Sequence, residues 1–263
     1  MEPLLEVKNL SKVFGRGKQQ AFALRNINLQ VNKGETLGIV GESGSGKSTL
    51  ARTIMGVHTA SEGEVLFHGE PLDLRKHKAR KDFARQVQMI FQDPYASLDP
   101  RMAVEDILME NLEIQGEKSK KEKHLEVEKL FEMVGLSKDY STRYPHEFSG
   151  GQRQRIGIAR ALTLEPELII CDEPISALDI SIQSQIMNLL MQLKEEKNLT
   201  LVFIAHDLNM VRYISDRIAV IHQGEIVEIG QTEDIYQNPT HAYTKTLLNA
   251  ALTLENRYGN KEK

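Results

Sequence analysis

The sequence predicts an α/β fold, in which a mostly parallel sheet has helices on both faces and carries an inserted block of helices. Two observations support this. Short apolar segments with the length of strands alternate with helical segments towards both ends of the 263-residue chain. Between about 104 and 164 the pattern is helical, with few strand signals. We therefore expect a sheet core at 1–92 and 167–230, a helical subdomain at 93–166 and a C-terminal helical extension at 231–263.

Each element of this fold follows from a local pattern. Residues 4–10 and 23–31 alternate apolar and polar side chains, as half-buried strands do. Residues 36–40 form a short apolar strand that runs directly into a glycine-rich loop, and 47–57 are expected to be a helix. The remaining expected elements, in chain order, are strands at 65–67, 87–91, 168–171, 201–205, 218–221 and 225–229, and an amphipathic helix at 182–194.

Composition excludes several classes of protein. The net charge is −4, which argues against a dedicated nucleic-acid binder because such proteins usually carry a basic excess. No apolar segment approaches the roughly 18 residues of a membrane helix, and the start of the chain has no signal-peptide pattern. Cys171 is the only cysteine, so neither an internal disulfide nor a cysteine-ligated cluster can form. We expect a cytoplasmic protein whose membrane role, if it has one, depends on a partner.

The glycine-rich loop has the spacing of a phosphate-binding loop, with a strand before it and a helix after it. Backbone N–H groups of such a loop turn towards phosphate oxygens, and the helix start adds partial positive charge. Lys47 is expected to reach the β- and γ-phosphates of a nucleotide, and Ser48 to coordinate Mg²⁺. A glycine-rich turn without a ligand is the alternative. The loop residues are Gly41, Glu42, Ser43, Gly44, Ser45, Gly46, Lys47, Ser48 and Thr49.

An acidic pair, Asp172 and Glu173, closes the apolar strand at 168–171. Two adjacent carboxylates at the end of a buried strand need a physical reason, because burying charge is costly. A Mg²⁺ ion supplies that reason for Asp172, and Glu173 is then placed to act as the general base that activates water. The alternative is a strand that leaves the core through acidic residues.

A second anion site is indicated by Ser149, Gly150, Gly151 and Gln152 at the start of a predicted helix. Serine is a favoured helix cap, and the glycines leave backbone N–H groups accessible. One chain should not need two anion sites for one triphosphate, so we expect this site to serve the nucleotide of another subunit. A capped helix with no ligand is the alternative.

In this order, the phosphate loop, Ser149–Gln152 and the acidic pair resemble the ATP-binding cassette (ABC) ATPases over nearly the whole chain. The resemblance implies an ATPase whose nucleotides, each with Mg²⁺, lie between two copies of the domain. It also implies a P-loop NTPase (RecA-like) core with a parallel sheet, an N-terminal antiparallel β subdomain and the inserted helical subdomain as the signature subdomain.

The resemblance assigns roles to four further residues. Gln92 matches the glutamine that contacts Mg²⁺ and the γ-phosphate and couples them to the membrane partner. Asp179 matches a loop that crosses the dimer interface. His206 matches the switch histidine, although a polar strand end is its alternative. Phe14 stands where the family places an aromatic ring on adenine, with a core residue as the alternative.

The resemblance to the ATPases that power peptide and nickel importers is carried by three segments, 88–101, 177–183 and 238–248, although Ala242 replaces the family's proline. A further segment, 151–160, looks like the F-type partner of the two ATPases that such importers often use. The resemblance implies two transmembrane permease subunits, an extracytoplasmic substrate-binding protein acting indirectly, no nucleic acid partner, and a position on the cytoplasmic face of the membrane. A heterodimer with a related ATPase is favoured over a homodimer. The alternatives are an ABC exporter ATPase and a soluble ABC ATPase acting on nucleic acid or ribosomes. The cargo stays open among oligopeptides, dipeptides, nickel and metallophores.

Overall fold

The computed structural model describes residues 3–15, 17, 20–93, 95, 97–115 and 119–258. The chain divides into two compact units, one formed by 1–80 with 200–263 and the other by 81–199. The strands are β1 Pro3–Phe14, β2 Ala21–Asn32, β3 Thr36–Val40, β4 Glu62–Phe67, β5 Glu70–Pro71, β6 Val87–Ile90, β7 Leu168–Asp172, β8 Thr200–Ala205, β9 Arg217–His222 and β10 Glu225–Gln231. The helices are α1 Lys47–Ile54, α2 His77–Gln86, α3 Val104–Gln115, α4 Lys120–Met133, α5 Gly150–Leu162, α6 Ile180–Lys197, α7 Leu208–Ile214, α8 Thr232–Gln237 and α9 Ala242–Tyr258.

The first unit contains an antiparallel sheet of strand order β2-β1-β4-β5. Leu5, Val7 and Leu10 of β1 are almost completely buried, which explains why this strand shows an apolar and polar alternation in the sequence. Register shifts interrupt the pairing of β1 with both neighbours. This sheet is the N-terminal antiparallel β subdomain that the family resemblance implies.

The same unit contains parallel strands, with β3 paired to both β8 and β9 and with β10 antiparallel to β9. Every residue of β3 and β8 is buried. Strands that are buried on both faces consist of nearly continuous apolar residues, which is the pattern that the sequence shows here. α7 packs closely on β3, because a Cβ at Gly38 would lie 2.3 Å from Val211 Cγ1.

The second unit pairs β6 with β7 in parallel and contains helices α3 to α6. The apolar face predicted for α6 is buried at Ile186, Leu189, Leu190 and Leu193. The helix itself is longer than the sequence pattern indicates, because its polar ends carry no apolar period. Among the described residues, no helix combines the length and the apolarity needed to cross a membrane.

Glu228 of β10 holds the start of α9 within the first unit. Its carboxylate accepts hydrogen bonds from the backbone N–H of Thr240 at 2.7 Å and of His241 at 3.0 Å, and from the Thr240 hydroxyl at 2.8 Å. Burial alone would raise the pKa of Glu228, but donors on Thr244, Thr240 and His241 outweigh burial and lower it to about 2. The charged form of Glu228 is therefore stabilised in the folded chain.

We expect the contribution of Glu228 to stability to disappear in acid. Because its folded-state pKa lies below the ordinary value of 4.5, the contribution is present above about pH 4.5 and is lost as the pH falls towards 2. The difference in free energy of unfolding between the wild type and Glu228→Gln, measured with urea from pH 6 to pH 3, should shrink with falling pH. Glu225→Gln, at an exposed position of the same strand, should show no such trend, and a constant difference for Glu228→Gln would contradict the expectation.

Candidate functional site

The glycine-rich loop connects β3 to α1 in the first unit. Gly46 caps α1 with φ 111°, a left-handed conformation that favours glycine. A Cβ at Gly41 would lie 2.2 Å from the carbonyl oxygen of Ile221, and one at Gly46 would lie 2.7 Å from that of Ala23. Both positions therefore exclude any side chain, because backbone atoms from β9 and β2 occupy the space.

Lys47 lies beneath this loop and is 4% exposed. Its Nζ donates to the carbonyl oxygens of Gly41 at 2.8 Å and Glu42 at 2.9 Å. α1 has no side-chain cap at its N-terminus, and the hydrogen bond from the Leu50 N–H to the Gly46 carbonyl oxygen, at 2.9 Å, closes its first turn. The loop therefore presents N–H groups, the positive end of a helix and an ammonium group, a combination suited to phosphate.

The outer part of the loop is open. Glu42, Ser43 and Gly44 are exposed, whereas Ser45 is 5% exposed. A Cβ at Gly44 would meet no atom within 4 Å, and this residue has φ 79°. The loop thus combines a tightly packed base with free space on its outer side, as a ligand-binding loop requires.

Two further predicted residues belong to the first unit and lie at strand ends. Phe14 ends β1 and is 39% exposed, so it is not a core residue. Its ring makes an edge contact with His58, at 5.2 Å between centroids, and the Lys12 ammonium lies 4.9 Å from its centre. His206 directly follows β8 and is exposed.

The acidic pair lies at the end of β7 in the second unit. Asp172 is 2% exposed, and Glu173 is half-buried with φ 48°, a conformation that costs energy for any residue with a Cβ. Gln92 Nε2 donates to Glu173 Oε2 at 3.1 Å. The structure therefore brings together two of the three predicted catalytic residues.

Cys171 precedes this pair and is 0% exposed. Burial raises the pKa of its thiol to about 12, with the neighbouring Asp172 carboxylate acting in the same direction. The thiol is therefore protonated and inert, as expected for a core residue.

The predicted second anion site forms the start of α5. The Ser149 hydroxyl accepts from the Gln152 N–H at 3.3 Å, and the Gln152 side chain accepts from the Ser149 N–H at 3.0 Å. This capping box uses the Gln152 side chain for the helix itself, while the N–H groups of Gly150 and Gly151 have no acceptor within the helix. A Cβ at Gly151 would lie 2.6 Å from Ile182 Cγ2, so the start of α5 packs closely against the first turn of α6. The N-cap of α6 is Asp179, the predicted interface residue, and it is exposed.

Two arginines of α5, Arg153 and Arg160, make contacts that the sequence analysis did not predict. Arg153 donates to the carbonyl oxygens of Pro145 at 2.6 Å and His146 at 3.2 Å, and its guanidinium lies 3.8 Å from the ring centre of Tyr95. Arg160 donates to the carbonyl oxygen of Ser97. α5 is thereby joined to the segment that follows Gln92, of which Pro94 and Ala96 lie outside the described residues. The available signal was the spacing of the two arginines by seven residues, which places both on one face of a helix.

The donor chemistry of the predicted Mg²⁺ ligands can be judged within each unit. Asp172 and Gln92 of the second unit offer a carboxylate and an amide oxygen, Ser48 of the first unit offers a hydroxyl, and oxygen ligands are those that Mg²⁺ prefers. Because Gln92 directs its amide nitrogen to Glu173, its amide oxygen points elsewhere and is the atom suited to a metal.

Two family models match the chain. Residues 24–176 match the model described as ABC transporter, and residues 227–263 match the model described as oligopeptide/dipeptide transporter, C-terminal region. The second match includes Glu228, the start of α9 and the residues that follow it.

Curated proteins and solved structures agree with these matches. The oligopeptide transport ATP-binding protein OppF of Bacillus subtilis (strain 168) is 55% identical over 95% of this chain and 82% of its own length. The dipeptide transport ATP-binding protein DppF of Lactococcus lactis subsp. cremoris (strain MG1363) is 51% identical over 94% of this chain and 80% of its own length.

Among solved structures, cbiO1 from Clostridium perfringens, part of the ABC transporter complex cbiONQ, has a TM-score of 0.80 at 26% identity over 99% of this chain and 98% of its own. The ATP-binding cassette MJ0796, a dimer bound to ADP and Pi, has a TM-score of 0.78 at 32% identity over 87% of this chain and 98% of its own. The α/β fold expected from the sequence is confirmed by this likeness.

Proposed function

Because the chain belongs to the ABC transporter family and is an ATPase of that family, we propose that it powers an importer of oligopeptides or dipeptides. The C-terminal match over 227–263 carries this proposal, since that region is described from oligopeptide and dipeptide transporters. Relatives that are 51% to 55% identical over most of the chain are named as oligopeptide and dipeptide transport proteins. Nickel or a metal complex is the other cargo that the sequence leaves open.

ATP binding uses the loop and its neighbours. Lys47, which already lies beneath the loop, contacts the β- and γ-phosphates, and the loop N–H groups surround them. Phe14 stacks on adenine with its exposed face. Ser48, Gln92 and Asp172 would hold Mg²⁺, which when bound neutralises charge on the phosphates. The loop residues that line the phosphates are Gly41, Glu42, Ser43, Gly44, Ser45, Gly46, Lys47, Ser48 and Thr49.

Hydrolysis depends on Glu173. Its carboxylate accepts a proton from the attacking water, and the water oxygen then attacks the γ-phosphorus while the ADP oxygen leaves. Gln92 holds the carboxylate through their hydrogen bond and thus orients it. His206 at the end of β8 contacts the γ-phosphate.

A second ATPase subunit completes each site in this proposal. Ser149, Gly150, Gly151 and Gln152 of one subunit face the ATP bound by the other, and Asp179 lies at the boundary between them. Support comes from the N–H groups of Gly150 and Gly151 at the start of α5, which have no acceptor within the helix, and from the dimeric relative bound to ADP and Pi. A related but different ATPase is favoured as the second subunit.

The membrane partners are two permease subunits, which would hold this chain at the cytoplasmic face of the membrane. The segment after Gln92, anchored to α5 by Arg153 and Arg160, is the part that contacts them. A substrate-binding protein acts on the far side of the membrane, without contact to this chain, and no nucleic acid is involved.

The test is to isolate the tagged chain from detergent-solubilised membranes of its source cell. We expect two permease subunits and a second ATPase to co-purify, and ATP hydrolysis to rise when a peptide-loaded binding protein is added. Co-purification with exporter subunits, or stimulation by nucleic acid or ribosomes, would overturn the importer proposal while leaving the ATPase assignment intact.

A further inference from the structure

A tyrosine of the C-terminal helix reaches the phosphate loop. Tyr243 lies in the first turn of α9, within the region matched to the transporter C-terminal model. Its hydroxyl oxygen accepts a hydrogen bond from the backbone N–H of Glu42 at 3.2 Å. The two residues are 201 positions apart, so this contact links the end of the chain to the loop.

The hydrogen bond from Glu42 to Tyr243 is one of two side-chain bonds that hold the peptide unit between Gly41 and Glu42. The carbonyl oxygen of Gly41 and the N–H of Glu42 belong to the same peptide plane. Lys47 holds the oxygen side at 2.8 Å, and Tyr243 holds the nitrogen side at 3.2 Å. Because a peptide unit is planar, these two bonds together fix its rotation, and with it the direction in which the loop enters its turn.

Tyr243 is itself held in place from several sides. Its ring stacks on the His222 ring with 3.8 Å between centroids and 28° between planes. Its backbone N–H donates to His241 Nδ1 at 3.2 Å, and Glu228 fixes the N–H of His241. Burial raises the pKa of Tyr243, so the hydroxyl stays neutral near pH 7 and retains lone pairs for the Glu42 N–H.

The turn that follows His222 contacts the same loop. The Gly224 N–H donates to the Ser45 carbonyl oxygen at 2.9 Å. His222 thus stands between two contacts on the loop, one through the turn and one through the ring of Tyr243. The region around the end of β9 therefore acts as a support for the loop.

We infer that Tyr243 is a positioning residue for ATP binding, through which the C-terminal helix sets the geometry of the phosphate loop. This rests on the proposed function only in taking ATP as the ligand. When ATP binds, Lys47 is drawn to the phosphates, so its bonds to Gly41 and Glu42 weaken. Tyr243 is then the side chain that still holds the peptide between Gly41 and Glu42.

The test compares Tyr243→Phe with the wild-type full-length chain. This substitution keeps the stacked ring and removes only the hydroxyl. Loss of one hydrogen bond should raise the Kd for Mg-ATP about three- to tenfold. In the assembled complex, the KM for ATP should rise by the same factor while kcat stays within about twofold. Tyr213→Phe, at an exposed tyrosine of α7, should change neither value.

A second measurement does not depend on ATP. Hydrogen–deuterium exchange at the Glu42 amide, without nucleotide, should be faster in Tyr243→Phe than in the wild type. The inference would be overturned if Tyr243→Phe exchanged the Glu42 amide at the wild-type rate. It would also be overturned if the wild type bound ATP and Tyr243→Phe bound it with the same Kd. If the wild type itself failed to bind ATP, the proposed function would fall, as would the role of Tyr243 in ATP binding, and the exchange rate would still show whether Tyr243 holds the loop.

Discussion

Replacing Glu173 with glutamine is expected to slow ATP hydrolysis by about 10²- to 10⁴-fold, the usual contribution of a general base. The amide has the same size as the carboxylate and still accepts from Gln92, but it cannot take a proton from water. ATP should still bind, because Lys47 and the loop N–H groups are untouched. Phosphate release by the assembled complex, measured beside ATP affinity, checks both statements.

The backbone at Glu173 supplies a matched control. Glu165 and Glu173 share φ 48°, and Glu165 lies on an exposed turn of the same unit. Glycine at either position should relieve left-handed strain and raise the free energy of unfolding by up to about 1 kcal/mol. Only Glu173→Gly should abolish hydrolysis. If Glu173→Gln kept a tenth or more of the wild-type rate, its role as general base would be rejected.

Lys47→Met is expected to weaken ATP binding by about 10- to 100-fold, the range for loss of a hydrogen bond to a charged partner. The methionine has a similar length but no charge, and Lys47 is buried where water cannot replace it. The carbonyl oxygens of Gly41 and Glu42 also lose their donor, so the nucleotide-free loop should exchange its amide hydrogens faster. Equilibrium titration with Mg-ATP measures the affinity.

The control for Lys47→Met is Lys33→Met, which removes the same charge at an exposed position between β2 and β3. It should leave ATP affinity within about twofold, since exposed charges at a distance are screened by salt. Equal losses in both variants would show that net charge, rather than the position of Lys47, governs binding.

The buried strands and helices were predictable from the sequence, whereas elements that are mostly exposed to solvent were not. β3, β7 and β8 are buried along their whole length, so apolar residues dominate them, and the polar residues Thr36, Asp172 and Thr200 stand at strand ends. In α2 only Phe83 is buried, so this helix shows no apolar period and was not among the elements expected from the sequence. α1 ends at Ile54, earlier than expected, because Gly56 adopts φ 72°.

Site residues were predicted from local motifs, whereas the bonds between them depend on the fold. The spacing around Lys47 indicated a phosphate loop, yet nothing local shows that Gln92 donates to Glu173 or that Tyr243 reaches Glu42. Such contacts join residues that only the arrangement of strands brings together. The positive φ of Glu173 could not be predicted either, because glutamate gives no indication in the sequence that its backbone adopts a left-handed conformation.

The burial of Cys171 has a practical consequence. It is the only thiol in the chain, and a protonated thiol enclosed in β7 does not react with maleimides or methanethiosulfonates. A cysteine introduced at any exposed position would therefore be the sole labelling point, with the native core left unchanged. A fluorophore or spin label at that position, paired with one on the second ATPase subunit that we propose, would then report whether the two subunits open and close during turnover.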